Sequence, residues 1–175
     1  MVRKEMKRTG QRRRKRILKS LNPESEASKM KILICGLPGS GKTTLARELA
    51  YHFCLPHFNA DTIREHFNDW DFTDEGRERQ ARRFANDYPF GIFDFVCPLK
   101  KYRAIVQPDF VIYMDTIEAG RFEDTNKIFE PVEKYDIRIE KWINLNQLRK
   151  CLGDFNPGMK GIQLFLKEQF PKLVK

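Results

Sequence analysis

Gly36-Leu37-Pro38-Gly39-Ser40-Gly41-Lys42-Thr43 satisfies the spacing G-x-x-x-x-G-K-[ST] at every fixed position. No other stretch constrains the fold of the chain as tightly. An apolar run, 32–35, leads into it, and Leu45, Ala46, Leu49 and Phe53 recur at helical spacing behind it. A strand, a glycine-rich turn and a helix, in that order, are the setting in which such a turn cradles phosphate. Its glycines let the backbone bend so that successive N–H groups point inward at phosphate oxygens. The first turn of the helix adds the positive end of its dipole. At this spacing Lys42 reaches the β- and γ-phosphates, and the Thr43 hydroxyl ligates Mg²⁺. Gly36 to Thr43 are therefore candidate ATP-binding residues. Thr44 has two readings, a contact to the α-phosphate or a small polar residue in the first helical turn.

The rest of the chain alternates in the same sense. Short apolar runs at 57–59, 90–96, 109–114 and 137–139 read as strands. Between and after them, 61–67, 74–87, 145–152 and 160–170 read as helices, the first with Asp61 at or near its N-cap. Strands alternating with helices predict an α/β fold, a parallel sheet covered on both faces. A length of 175 residues suits one domain. The formal net charge is +9, yet residues 1–30 hold 11 basic and 3 acidic residues, a net +8. The remainder is almost neutral. Residues 1–29, with Arg12-Arg13-Arg14-Lys15-Arg16 at their centre, thus read as a basic extension, and 30–175 as the folded domain. Like charges in a block stay solvated and serve as arms for polyanions, so nucleic acid is a possible partner. The other reading is an inert extension, with Met30 as a start. Four cysteines (Cys35, Cys54, Cys97, Cys151) lie far apart and form no C-x-x-C. That usage fits a reduced, cytoplasmic setting. No apolar stretch approaches the ~20 residues of a membrane helix.

Within P-loop proteins, the pattern favours a small kinase. The chain is short for a helicase or transport ATPase, and it has no Asn-Lys-x-Asp for reading guanine. Asn59-Ala60-Asp61 supplies a carboxylate about twenty residues after the loop. There an aspartate can orient an acceptor hydroxyl and ligate Mg²⁺ through water, or simply cap a helix. Asp94 is a second acidic group near a strand end, either a Mg²⁺ ligand or an inward polar residue in a hydrogen-bond network. Arg64, Arg77, Arg82 and Arg83 offer bidentate anion binding, or form a solvated helix face.

These residues resemble the adenylylsulfate kinases (APS kinases), whose pattern has a P-loop, then D-G-D-x-x-R, then an aromatic shortly before D-R-x-E-N-I-R-R. Asn59-Ala60-Asp61-Thr62-Ile63-Arg64 looks like the first segment, and Gly76-Arg77-Glu78-Arg79-Gln80-Ala81-Arg82-Arg83 runs in register with the second. Phe72 falls where the family has an aromatic that packs on the substrate adenine. Phe95-Val96-Cys97-Pro98 is similar to the strand-end I-S-P, with Cys97 in place of serine. Val111-Ile112-Tyr113-Met114-Asp115-Thr116 resembles V-Y-V-D-T. Arg121, Asp124, Lys127 and Phe129 look like a shortened R-D-x-K-G-L-Y lid. The likeness covers roughly 31–140 and is closest to the compact kinases of bacteriophages. Departures are Gly76 and Arg79, which replace acidic positions, and Gln80, which stands for asparagine.

The resemblance implies a three-layer P-loop kinase fold with a five-stranded parallel sheet in the order 2-3-1-4-5. It implies ATP and Mg²⁺ as cofactors and transfer of the γ-phosphoryl group to the ribose 3′-hydroxyl of adenylyl sulfate, a step of sulfate assimilation. Asp61 would then orient the hydroxyl, and Thr43 and Asp61 would serve the metal. Arg64, Arg77 and Gln80 would hold the acceptor, with Phe72 stacked on its base. Arg121 and Lys127 would close over the transferring group. Two other readings stay open: a kinase with another acceptor, such as a polynucleotide 5′-hydroxyl, a nucleoside or a small metabolite, and a nucleotide-dependent nucleic-acid-binding protein.

Overall fold

The computed structural model describes residues 30–53 and 55–142. The basic extension and the two closing helices expected at 145–152 and 160–170 lie outside the described residues. Five strands form one sheet in the order β2-β3-β1-β4-β5. They are β1 (Lys31–Gly36), β2 (His57–Asn59), β3 (Gly91–Asp94), β4 (Phe110–Met114) and β5 (Ile137–Ile139). All four pairings are parallel. The helices are α1 (Lys42–Phe53), α2 (Ala60–Phe67), α3 (Asp74–Asn86), α4 (Lys100–Val106) and α5 (Glu123–Ile128). Neither α4 nor α5 was expected as a helix from the sequence. The third strand expected from the sequence ran to 96, whereas β3 stops at Asp94.

The two faces of β1 explain the layers. Its side chains alternate, so Ile32 and Ile34 point one way and Leu33 and Cys35 the other. The first pair joins Leu45, Leu49 and Phe53 of α1 with Ile92, Ile112 and Ile137. The second joins Ile63, Ala81, Phe84, Tyr102 and Val106, contributed by α2, α3 and α4. A strand buried on both faces reads as an unbroken apolar run, as parallel sheets require.

Turn chemistry sets the helices that matter for function. Asn59, not Asp61, caps α2: its Oδ1 accepts from the N–H groups of Asp61 at 3.0 Å and Thr62 at 3.2 Å. This corrects the sequence expectation and leaves the Asp61 carboxylate without a capping role. Asn68 ends α2 in the left-handed region, φ 47°, which asparagine tolerates better than most residues. Thr73 caps α3 by accepting from Gly76 N–H at 3.3 Å. Among the described residues, no helix is long and apolar enough to cross a membrane.

Candidate active site

The loop between β1 and α1 lies where the central strand ends. Gly36 has φ +143°, and a Cβ there would come 2.3 Å from the Met114 carbonyl oxygen, so only glycine fits. At the far end of the loop, a Cβ on Gly41 would meet the Trp142 ring at 2.5 Å. Inside the loop, Lys42 Nζ donates to the Leu37 carbonyl at 2.8 Å. Lys42 is 7% exposed. Burial pushes its pKa down, while the negative charges of Asp94 and Asp61 oppose the shift. Ser40 Oγ is buried without a hydrogen-bond partner. The loop backbone is braced from outside: Thr116 Oγ1 donates to the Ser40 carbonyl at 2.7 Å. Arg121 N–H donates to the Pro38 carbonyl at 3.4 Å.

Beside the loop, the carboxyl ends of β2 and β3 meet in register, Asn59 opposite Asp94. Asn59 Nδ2 donates to Asp94 Oδ2 at 2.7 Å. His57 Nε2 stands 3.5 Å from the same oxygen. Asp94 is 2% exposed. Burial raises its pKa, but contacts from His57, Thr43 and Asn59 and the charge of Lys42 outweigh it, so the carboxyl titrates below its ordinary range. Asp94 therefore faces both Thr43 and Lys42 of the loop. Of its two sequence readings, its contacts show the inward polar residue held in a hydrogen-bond network.

These groups open onto one cleft of about 320 Å³ at the carboxyl ends of the strands. Open parallel sheets bind ligands in this place. Gly39, Lys42, Thr43, Asp61, Arg64, Phe72, Arg77, Asp94 and Arg121 all line it. Asp61 is exposed in the first turn of α2. Arg64 is buried, its Nη1 donating to the carbonyls of Asp69 at 3.0 Å and Asp71 at 2.7 Å. Arg77 Nε donates to the Phe72 carbonyl at 2.7 Å, and its Nη2 lies 3.4 Å from Asp124 Oδ2. The Phe72 ring has Arg64 at 4.6 Å and Arg77 at 5.7 Å from its centroid.

Of the expected site residues, Pro38, Gly39, Lys42, Thr43, Asp61, Arg64, Phe72, Arg77 and Arg121 line the cleft. Gly36, Leu37, Ser40 and Gly41 belong to the loop beside it, and three lie elsewhere. Gln80 is fully buried; its Nε2 donates to the Ala60 carbonyl at 3.0 Å and its Oε1 accepts from Arg83 at 3.1 Å. Its amide is spent joining α2 to α3. Lys127 pairs with Glu123 at 2.8 Å on the exposed face of α5. Thr44 is exposed on α1. None of the three is among the residues lining the cleft. Two aromatics that do line it, Trp70 and Phe122, went unread in the sequence. Trp70 had one visible signal, its place two residues before Phe72.

A Mg²⁺ complex of ATP can be tested against these residues. The loop is bent at glycines with positive φ, the lysine and Ser40 Oγ lie buried within it, and Thr43 and Asp94 supply hard oxygen donors side by side. Among the described residues, no group of three or more His, Cys, Asp or Glu side chains could hold a metal. A Mg²⁺ ion bound with ATP takes most of its ligands from phosphate and water, so a hydroxyl and a carboxylate from the protein are enough. The residues fit.

No protein-family model and no curated protein matches the chain. Solved structures do. The APS kinase of Mycobacterium tuberculosis, solved with AMPPNP and APS, is 18% identical, with a TM-score of 0.55 over 71% of this chain and 95% of that one. An unliganded sugar kinase from a Janibacter species is also 18% identical, with a TM-score of 0.54 over 78% of this chain and 98% of that one. Such identities speak for the fold. The chain has the three-layer α/β fold of the P-loop kinases, with the expected strand order.

Proposed function

We propose that the protein is a kinase that transfers the γ-phosphoryl group of ATP to an alcohol of a small molecule, the ribose 3′-hydroxyl of adenylyl sulfate. One observation carries this reading. Lys42, Thr43, Asp61, Arg64, Phe72 and Arg77 all line a single cleft, the first two from the phosphate loop and its helix and the last three from α2, α3 and the segment between them. The first group suits a triphosphate, and the last suits an anion attached to a flat base. A structural neighbour, the M. tuberculosis APS kinase, was solved with that pair of ligands.

In this reading the acceptor oxygen attacks the γ-phosphorus as its bond to the β–γ bridging oxygen breaks. The hydroxyl proton passes toward Asp61, and ADP leaves. Lys42 neutralises charge on the β- and γ-phosphates, and Arg121 faces the same charge from the lid side. Thr43 and Asp94, with Asp61 on the same cleft, would hold Mg²⁺, which supplies further neutralisation of the phosphate oxygens. Positioning and charge do most of the work, since phosphoryl transfer asks little covalent chemistry of the protein.

The deciding experiment is acceptor-dependent ADP release by the full chain. It is run with ATP and Mg²⁺ against adenylyl sulfate, nucleosides, sugars, shikimate and a 5′-hydroxyl oligonucleotide. Turnover with adenylyl sulfate alone is the expected result. Turnover with another alcohol keeps the kinase and removes the acceptor. No acceptor-dependent release removes both.

A second prediction isolates Asp94. Asp94→Asn keeps the hydrogen bond with Asn59 possible but removes the charge. Mg²⁺-dependent ATP affinity should fall by ~10–100-fold, while ATP binding in EDTA barely changes. Calorimetric titrations with and without metal measure both. Equal affinities for wild type and variant in Mg²⁺ would take Asp94 out of the metal site.

A further inference from the structure

The segment between α2 and α3 alternates in direction. Asp69 and Asp71 turn inward onto α3, while Trp70 and Phe72 between and after them turn out into the cleft. The inward pair is gripped from several sides. Arg79 binds Asp69 with two nitrogens, Nε to Oδ2 at 2.8 Å and Nη2 to Oδ1 at 2.9 Å. The same Nη2 reaches Asp71 Oδ2 at 3.0 Å. Arg83 Nη2 adds a contact to Asp69 Oδ2 at 2.7 Å. The other Asp71 oxygen accepts from Thr73 N–H at 2.9 Å and Thr73 Oγ1 at 2.6 Å. Arg64 draws in the carbonyls of both aspartates. Gly76 makes the close approach possible, because a Cβ there would lie 2.4 Å from Asp71 Cγ and from the Asp71 carbonyl oxygen. A bidentate guanidinium–carboxylate pair fixes direction as well as distance.

The outward pair is left in an unfavourable place for apolar rings. Trp70 is 52% exposed and Phe72 50%. Their centroids lie 6.4 Å apart with planes inclined at 40°. Half-exposed aromatics grouped at one cleft mark a binding surface more often than a stable solvent face. Phe122, 55% exposed, lines the same cleft.

We propose that Trp70 is a specificity-determining residue, a second ring that joins Phe72 in a stacking platform for a flat heteroaromatic base on the acceptor. Arg79 is its positioning residue: by clamping Asp69 and Asp71 it holds the two alternate rings toward the cleft. This rests on the reading of the cleft as an acceptor site. It gives two of the three departures from the family pattern a role here: Gly76 admits Asp71, and Arg79 binds Asp69 and Asp71. Stacking needs a π-face and tolerates differences among bases, so the platform selects base-bearing acceptors over other phosphorylated or sulfated alcohols.

The chain has only two tryptophans, Trp70 and Trp142. Trp142→Phe therefore makes Trp70 the sole tryptophan reporter. With AMPPNP saturating, adenylyl sulfate and AMP should quench this fluorescence saturably, and ribose 5-phosphate should not. In the otherwise native chain, Trp70→Ala should raise the acceptor KM by about tenfold or more with kcat and the KM for ATP little changed, and Trp70→Phe should restore most of it. Arg79→Ala should raise the acceptor KM in the same selective way, and Arg79→Lys should recover part. Equal quenching by ribose 5-phosphate, or an acceptor KM indifferent to Trp70→Ala, overturns the platform. An Arg79→Ala variant that melts lower but keeps its acceptor KM overturns the positioning role. Quenching by the nucleotides with no phosphoryl transfer leaves the platform standing and removes the kinase reading instead. Normal turnover of adenylyl sulfate in Trp70→Ala does the reverse.

Discussion

Lys42→Ala should lower acceptor-dependent ADP release by ~100-fold or more, the scale on which a single preorganised charge partner of a transferring group acts. Lys42 is the buried cation at the base of the loop, and it now donates to the Leu37 carbonyl. That bond holds the side chain within reach of the phosphates. Removing the amine leaves the γ-phosphate without its main cationic partner, while the Leu37 carbonyl keeps its hydrogen bond from Ser40 N–H. The fold should survive, because the loop is also held by Thr116, by the turn from Ser40 N–H to the Leu37 carbonyl at 3.1 Å and by the apolar stripe of α1. A melting curve and a turnover assay on the same preparation separate the two effects. A folded variant with near-normal turnover would mean that ATP does not bind through this loop.

Asp61→Asn should be nearly as damaging to turnover, by ~10²–10⁴-fold, the range for loss of a positioned acid–base group. The structure sharpens this test. The α2 cap is Asn59, so neither Asp61→Asn nor Asp61→Ala removes a capping acceptor. Both should cost only the charge at the helix start, about 0.3–1 kcal/mol. Asn59→Ala is the contrasting variant. It removes the cap and the hydrogen bond to Asp94, and should cost about 0.5–2 kcal/mol of stability from the cap alone. If instead Asp61→Ala melts well below wild type while Asp61→Asn turns over normally, Asp61 is structural and another group receives the hydroxyl proton.

Legibility varied with how local each signal was. The phosphate loop depends on eight consecutive residues whose backbone geometry is dictated by glycine, so it could be read outright. The alternation of strands with helices along the chain predicted a parallel sheet covered on both faces. Arg64, Phe72 and Arg77, expected from the match to the family's segments, line the cleft. Gln80 and Lys127, expected from the same match, do not. A helix turns 100° per residue, so a register match fixes which face a residue occupies only once the packing of that helix is known. Gln80 lies on the α3 face turned to α2, where its amide answers the Ala60 carbonyl. The α4 helix was missed because Lys100–Val106 is short and begins at Leu99, which makes no side-chain cap.

The sequence alone determined the phosphate loop, the alternation of strand and helix and the class of fold, since each rests on contacts between near neighbours in the chain. Tertiary structure decided the rest of the site. Asp94 lies 51 residues beyond Thr43, yet strand pairing in register sets it beside Asn59 and against the loop. Nothing local in the sequence marks Asp69, Asp71 and Arg79 as partners. Only the docking of the 69–73 segment on α3 joins them into a clamp and turns Trp70 to the cleft. Such long-range partners leave no periodic trace, because ion-pair and stacking geometry depend on where two elements meet in space and not on their separation along the chain.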